Sequence, residues 1–217
     1  MVEVAAVVVA AAAVAVAGAV KAWDNHLGSV ERASPTFLPE DYRSYLAVLA
    51  RVHLAKAGAL RGRVDSSDIV QDALLQAHIA RAQFRGATEG EFAGWLRRIL
   101  TNVLIDAQRR HGRKKRDAAL DVSCRETIEQ TASRLSGLPA GDGTTPSEYV
   151  ARRERGVLLA AALEALPDDQ RTAVELRYLG ECTLEEIVSV MDRSRPSVAG
   201  LLRRGLEELR RNLGADV

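Results

Sequence analysis

Thr183-Leu184-Glu185-Glu186-Ile187-Val188-Ser189-Val190-Met191-Asp192-Arg193-Ser194-Arg195-Pro196-Ser197-Val198-Ala199-Gly200-Leu201-Leu202 reads as two helices around a tight polar turn. Thr183 is placed to cap the first helix, and Glu186 stands where a capping box needs a carboxylate. Leu184, Ile187, Val188 and Met191 then fall on one face. Asp192-Arg193-Ser194 reverses the chain. Pro196 suits the first turn of the next helix, because its missing amide hydrogen has no partner to lose there. Val198, Leu201 and Leu202 would pack that helix back on its neighbour. The pattern predicts a helix-turn-helix whose second helix fits a major groove. Its exposed start and outer face, Arg195, Ser197, Ala199, Gly200, Arg203 and Arg204, would meet DNA. Arginine would hold phosphate or guanine edges, and the small Ala199 and Gly200 would permit close backbone approach.

Working outward, the preceding helices follow the same helical period. Leu158, Leu159, Ala162, Leu163 and Leu166 form a stripe that Pro167 stops, and a further helix covers 168–179 before Gly180. Asp168 and Asp169 read as first-turn residues. Nearer the N-terminus, Tyr42, Tyr45, Leu46, Leu49, Val52 and His53 form one apolar stripe, with Gly58 and Gly62 closing that helix. Asp65-Ser66-Ser67-Asp68 opens the next, where short polar caps and acids suit the positive end of a helix. Its inward face is Ile69, Val70, Ala73, Leu74 and Ala77. Phe84 to Gly90 reads as a loop. A long helix from about Glu91 buries Phe92, Trp95, Leu96, Ile99, Leu100, Val103, Leu104 and Ala107, and ends in a basic run near Gly112. From about 117 to 148 periodicity fades, and Gly137 to Pro146 reads as an exposed linker.

Composition agrees with an all-α chain. Of its 217 residues 47% are hydrophobic but only 4% aromatic, so the cores must be built from Leu, Val, Ile and Ala. A net charge of +1 conceals an uneven distribution. Arg97, Arg98, Arg109, Arg110, Arg113, Lys114, Lys115 and Arg116 are opposed in their segment by Asp106 alone, and a second excess of arginine runs from Arg193 to Arg211. A polyanion would feel two positive faces. Enzyme chemistry is not indicated: there is no Ser/His/Asp set, phosphate-cradling Gly-Lys loop or metal cluster. Cys124 and Cys182 stand far apart, which fits neither a metal site nor a disulfide framework. Residues Val2 to Val20 are almost wholly Val and Ala with Glu3 the sole charge. They lack the basic start of a secretory signal, and a membrane anchor is not expected of them. Their role is unassigned.

Read together, the two halves resemble the sigma-70 family of bacterial RNA polymerase sigma factors. Asp65-Ser66-Ser67-Asp68-Ile69-Val70-Gln71-Asp72-Ala73-Leu74-Leu75-Gln76-Ala77 is similar to the family's acidic helix. Phe84-Arg85-Gly86, followed by Phe92-x-x-Trp95-Leu96-x-x-Ile99-x-x-Asn102-x-x-x-Asp106-x-x-Arg109, resembles its promoter-melting segment. Leu163-x-x-Leu166-Pro167-x-x-x-Arg171 with the helix-turn-helix resembles the domain that reads the −35 element. A linker in place of the middle domain identifies the chain as a member of the small extracytoplasmic-function (ECF) group.

The resemblance implies two small helical domains joined by a flexible linker: a leader over 1–38, a region 2-like bundle over 39–116, a linker over 117–146 and a region 4-like domain over 147–213. It implies core RNA polymerase as partner, with Asp68, Gln71, Asp72 and Gln76 on the β′ clamp helices and the closing domain on the β flap. Promoter DNA is the second partner. Phe84, Arg85, Arg97, Arg98, Thr101, Asn102, Arg109, Arg110 and Arg113 would serve the −10 element, where an extruded base costs a few kcal/mol that contacts must offset. An anti-sigma factor is a further partner that the family admits. No cofactor, metal or small-molecule substrate is implied, and the expected location is the cytoplasm, at the nucleoid. Many relatives carry Arg-Ser-Arg where this chain has Ala199-Gly200-Leu201, so those −35 contacts do not carry over. A free-standing helix-turn-helix regulator is the alternative, though it would have no use for the acidic helix and the melting segment.

Overall fold

The computed structural model describes residues 37–57, 64–112, 118–137 and 146–213. Val2 to Val20, Gly58, Gly62, Arg113 to Arg116 and most of the Gly/Pro-rich run before Pro146 lie outside the described residues. All elements among the described residues are helical, and they form two compact units that divide at Ser133 and Arg134.

In the first unit a 3-10 turn, Pro39–Tyr42, leads into α1, Arg43–Lys56. Then come α2, Ser66–Ile79, and the long α3, Glu89–Gly112. The Asp65 side chain accepts from Ser67 N at 2.8 Å and so caps α2. All three helices pack on one another. Their buried faces are the expected stripes: Leu46, Leu49 and Val52 on α1, Ile69, Val70, Ala73, Leu74 and Ala77 on α2, and Phe92, Leu96, Leu100 and Leu104 on α3. His53 is also buried, within reach of Gln108 at 2.9 Å. Burial first, and Lys56 second, push its pKa down to about 4, which keeps the ring neutral.

Two readings of the sequence change here. The long helix starts at Glu89 instead of Glu91, because Thr88 caps it: Glu91 N donates to Thr88 Oγ1 at 3.2 Å, and the Glu91 carboxylate accepts from Thr88 N at 3.0 Å. The stretch read as losing periodicity holds α4, Ala118–Leu135. Its buried positions, Cys124, Ile128, Thr131, Ala132 and Leu135, do keep helical spacing. Small and weakly apolar side chains fill most of them, so the stripe was faint. Burial, with Asp121 adding to it, pushes the Cys124 thiol up to about 12.

In the second unit α5, Pro146–Glu164, is followed by Pro167 and α6, Asp168–Val174, which widens into a π turn over Glu175–Leu179. Arg171 fastens this corner, donating to the Glu164 carbonyl at 3.2 Å and to Asp168 Oδ1 at 2.6 Å. Two helices complete the unit: α7, Leu184–Met191, and α8, Arg195–Asn212. α5, α6 and α7 all pack against α8. Gly205 allows α6 to cross close over α8: a Cβ there would lie 2.9 Å from Val174 Cγ2 and 3.3 Å from the Gln170 carbonyl oxygen. A glycine inside a helix costs about 1 kcal/mol relative to alanine, and the close packing of α6 on α8 is its return.

Candidate nucleic-acid interface

The helix-turn-helix is built as its residues predict. Thr183 N donates to Glu186 Oε2 at 2.7 Å while Glu186 N donates to Thr183 Oγ1 at 3.2 Å, closing the capping box. Asp192 takes the left-handed conformation, φ 51° and ψ 49°, which turns the chain sharply enough for Ser194 to start α8. Ile187, Val198, Leu201 and Leu209 are buried. Opposite them, Arg195, Ser197, Ala199, Arg203 and Arg204 are exposed and Gly200 is half-buried. Arg195, Ala199 and Arg203 lie one turn apart along one row, and Pro196, Gly200 and Arg204 along the next. A Cβ on Gly200 would come within 3.2 Å of an Arg204 nitrogen, so this glycine leaves Arg204 room to lie along the helix.

These arginines are held only loosely. Arg203 pairs with Glu207 at 2.9 Å and Arg195 with Glu185 at 3.6 Å, all four side chains at least half exposed. Such pairs contribute about 0.2–1 kcal/mol, so a phosphate can replace the carboxylate at little cost. Arg193, not singled out from the sequence, is exposed in the turn and paired with Asp169 at 2.9 Å.

In the first unit, Asp68, Gln71, Asp72 and Gln76 are all exposed on α2. Leu75 and Ile79 join them, 59% and 75% exposed. Asp68, Asp72, Leu75 and Ile79 follow one another at helical spacing, so the outer face of α2 is a single stripe, acidic at its start and apolar at its end. The sequence reading left Leu75 and Ile79 off the inward face but did not name them as contact residues, because the polar side chains alone drew notice there.

α3 and the loop before it divide the remaining candidates. Arg85, Arg98, Asn102, Arg109 and Arg110 are exposed. Three others make their contacts within the protein in this structure. Phe84 turns inward, its ring 5.2 Å from that of Phe92 and 5.3 Å from that of Trp95, with the Arg81 guanidinium over it at 5.5 Å. Arg97 is largely buried, donating to Glu129 at 3.0 and 3.1 Å and to the Tyr45 hydroxyl at 3.2 Å. Burial opposes its charge, but Tyr45 and Glu129 outweigh burial and hold its pKa above the ordinary value. Thr101 is buried, its hydroxyl donating to the Arg97 carbonyl at 2.8 Å. Arg113 lies outside the described residues.

Gly86 sets the shape of the loop. A Cβ there would stand 2.4 Å from Phe84 Cζ, so glycine lets the ring fold beneath the chain while Arg85 points out. Among the described residues no group of His, Cys, Asp and Glu could hold a metal ion, and no helix is long and apolar enough to cross a membrane.

Comparison with known proteins matches both halves. Residues 41–114 fit the profile of sigma-70 region 2, and residues 157–209 that of sigma-70 region 4. The chain is 32% identical over 149 residues to the ECF RNA polymerase sigma factor SigW of Bacillus subtilis, covering 69% of this chain and 75% of that protein. It is 30% identical over 128 residues to the ECF RNA polymerase sigma-E factor of Escherichia coli K12, covering 59% of this chain and 63% of the relative. The sigma-E factor of Salmonella typhimurium LT2 matches to the same extent.

Proposed function

The chain belongs to the extracytoplasmic-function group of the sigma-70 family, and from that premise we propose how its parts divide the work of a sigma factor. It binds core RNA polymerase and directs transcription initiation at promoter DNA. Sigma factors are not enzymes, so nucleotide polymerisation belongs to the polymerase.

The outer stripe of α2 docks on the β′ clamp helices. Asp68 and Asp72 steer it to a basic partner and set its orientation, while Leu75 and Ile79 supply the apolar centre. In the same region 2-like domain, over 39–116, Arg85, Arg98, Asn102, Arg109 and Arg110 face the −10 element. Beyond α4, the region 4-like domain over 147–213 lays α8 in the major groove at the −35 element and rests on the β flap. Arg193, Arg195, Arg203 and Arg204 grip phosphate or guanine there. An anti-sigma factor would cover one of these faces. The work is done in the cytoplasm, at the nucleoid.

The exposed stripe of α2 carries this reading. A free-standing helix-turn-helix regulator has no use for two acids and two large apolar side chains aligned in solvent. The test is assembly of the full chain with purified core RNA polymerase, followed by size exclusion. Asp72→Arg and Leu75→Arg are each expected to weaken co-migration about tenfold or more, the loss typical of an interface hot spot, while helicity stays at the wild-type value. Undiminished assembly by both variants would remove the α2 stripe from the interface.

A further inference from the structure

α3 presents Arg109 to the DNA side, yet in this structure its guanidinium is occupied. Arg109 Nη2 donates to Asp121 Oδ2 at 2.7 Å, and Nη1 lies 3.6 Å from Asp106 Oδ1. The two acids differ in their freedom. Asp106 stands one turn away on the same helix and accompanies Arg109 wherever α3 goes. Asp121 is on α4, so its grip is a contact between elements and can be exchanged. α4 has a second fastening to α3, the pair Glu129–Arg97, in which the Arg97 side chain is 15% exposed and also bonded to Tyr45, while Glu129 is half exposed. The Arg109 and Asp121 side chains are 38% and 31% exposed.

We propose that Asp121 is a built-in competitor for DNA phosphate: it holds Arg109 in the free chain and releases it when a promoter backbone arrives, while Glu129 keeps α4 in place. This rests on the reading of α3 as a DNA-facing helix. The exchange is permitted because an exposed ion pair is weak and a duplex carries a dense line of charge that several arginines meet together. It also sets a threshold. Until Asp121 lets go, one phosphate contact is missing, and its carboxylate repels the incoming strand. Isolated contacts with stray DNA are disfavoured by this, and a site engaged along its whole length overcomes it.

The experiment uses the full chain and a fluorescein-labelled duplex of mixed sequence, since a phosphate contact is independent of sequence. Binding is followed by anisotropy across a salt series for wild type, Asp121→Asn, Arg109→Ala and the double variant. Asp121→Asn is expected to tighten binding about two- to fivefold at low salt, the range one exposed pair can supply. Asp121→Ser should do the same, and both gains should vanish in the Arg109→Ala background. Wild-type affinity in Asp121→Asn would overturn the proposal, as would an equal gain in the absence of Arg109. A wild-type chain that bound no DNA, alone or on core polymerase, would overturn the reading of α3 itself.

Discussion

Gly86→Ala tests the loop that precedes α3. The added Cβ would lie 2.4 and 2.8 Å from two Phe84 ring atoms and 2.8 Å from Glu91 Cβ. Carbon atoms in ordinary contact stand about 3.5–4.0 Å apart, so the overlap is on the order of 1 Å. Glu91 is fixed in helix α3, so the chain at residue 86 must ease away from it while the ring, the nearer neighbour, moves aside. In moving it forfeits its packing on Phe92 and Trp95, two aromatic pairs at about 0.5–1.5 kcal/mol each. Alanine returns about 0.4–1 kcal/mol by restricting the unfolded chain. The net expectation is a loss of about 1–2 kcal/mol. Trp95 is the natural probe, because Phe84 packs directly against it; Trp23, the second tryptophan, is first replaced by Phe in both proteins. Urea unfolding should show a lower midpoint, and native emission should shift as the ring departs. A midpoint equal to or above the parent's, with unchanged emission, would mean the backbone alone yields, and the account of the loop would be wrong.

Two more predictions concern acid and salt. His53 titrates at about 4 in the fold against an ordinary 6.5, so between these values the unfolded chain binds the extra proton. Its contribution is therefore whole above about pH 6.5 and is lost as pH falls towards 4, a loss of about 3 kcal/mol at 1.36 per pK unit. His53→Gln should flatten that limb of the stability profile; identical profiles for the two proteins from neutral pH down to 4 would refute it. Arg203→Ala with Arg204→Ala, both at exposed positions, should leave the fold intact and reduce the salt slope of promoter binding by about 0.9 for each lost phosphate contact. An unaltered slope would take both residues off the DNA face.

Local chemistry was legible in the sequence, and distant contacts were not. The capping box of Thr183 and Glu186, the place of Pro196 and the buried stripes of α1, α2 and α3 each depend on residues a turn or two apart, so spacing alone reveals them. Arg97 and Arg98 are adjacent and chemically identical in sequence. Only the fold tells them apart, by bringing Tyr45 and Glu129, 52 and 32 residues away, to the first and leaving the second in solvent. The packing of Phe84 was hidden for a similar reason, since nothing near it announces that Phe92 and Trp95 will come beneath its ring. Leu75 and Ile79 were left off the inward face of their helix, and the fold leaves them in solvent, where their type alone would not place them. Gly205 could have been suspected, because a glycine inside a long amphipathic helix asks for a reason, and the close crossing with α6 supplies it.

The most direct test of a sigma factor is promoter-dependent transcription: core polymerase, with and without the full chain, on pooled genomic fragments. The account predicts discrete transcripts that appear only when the chain is present and are lost with Asp72→Arg. Polymerase that yields the same products with and without a chain shown to be folded would contradict it.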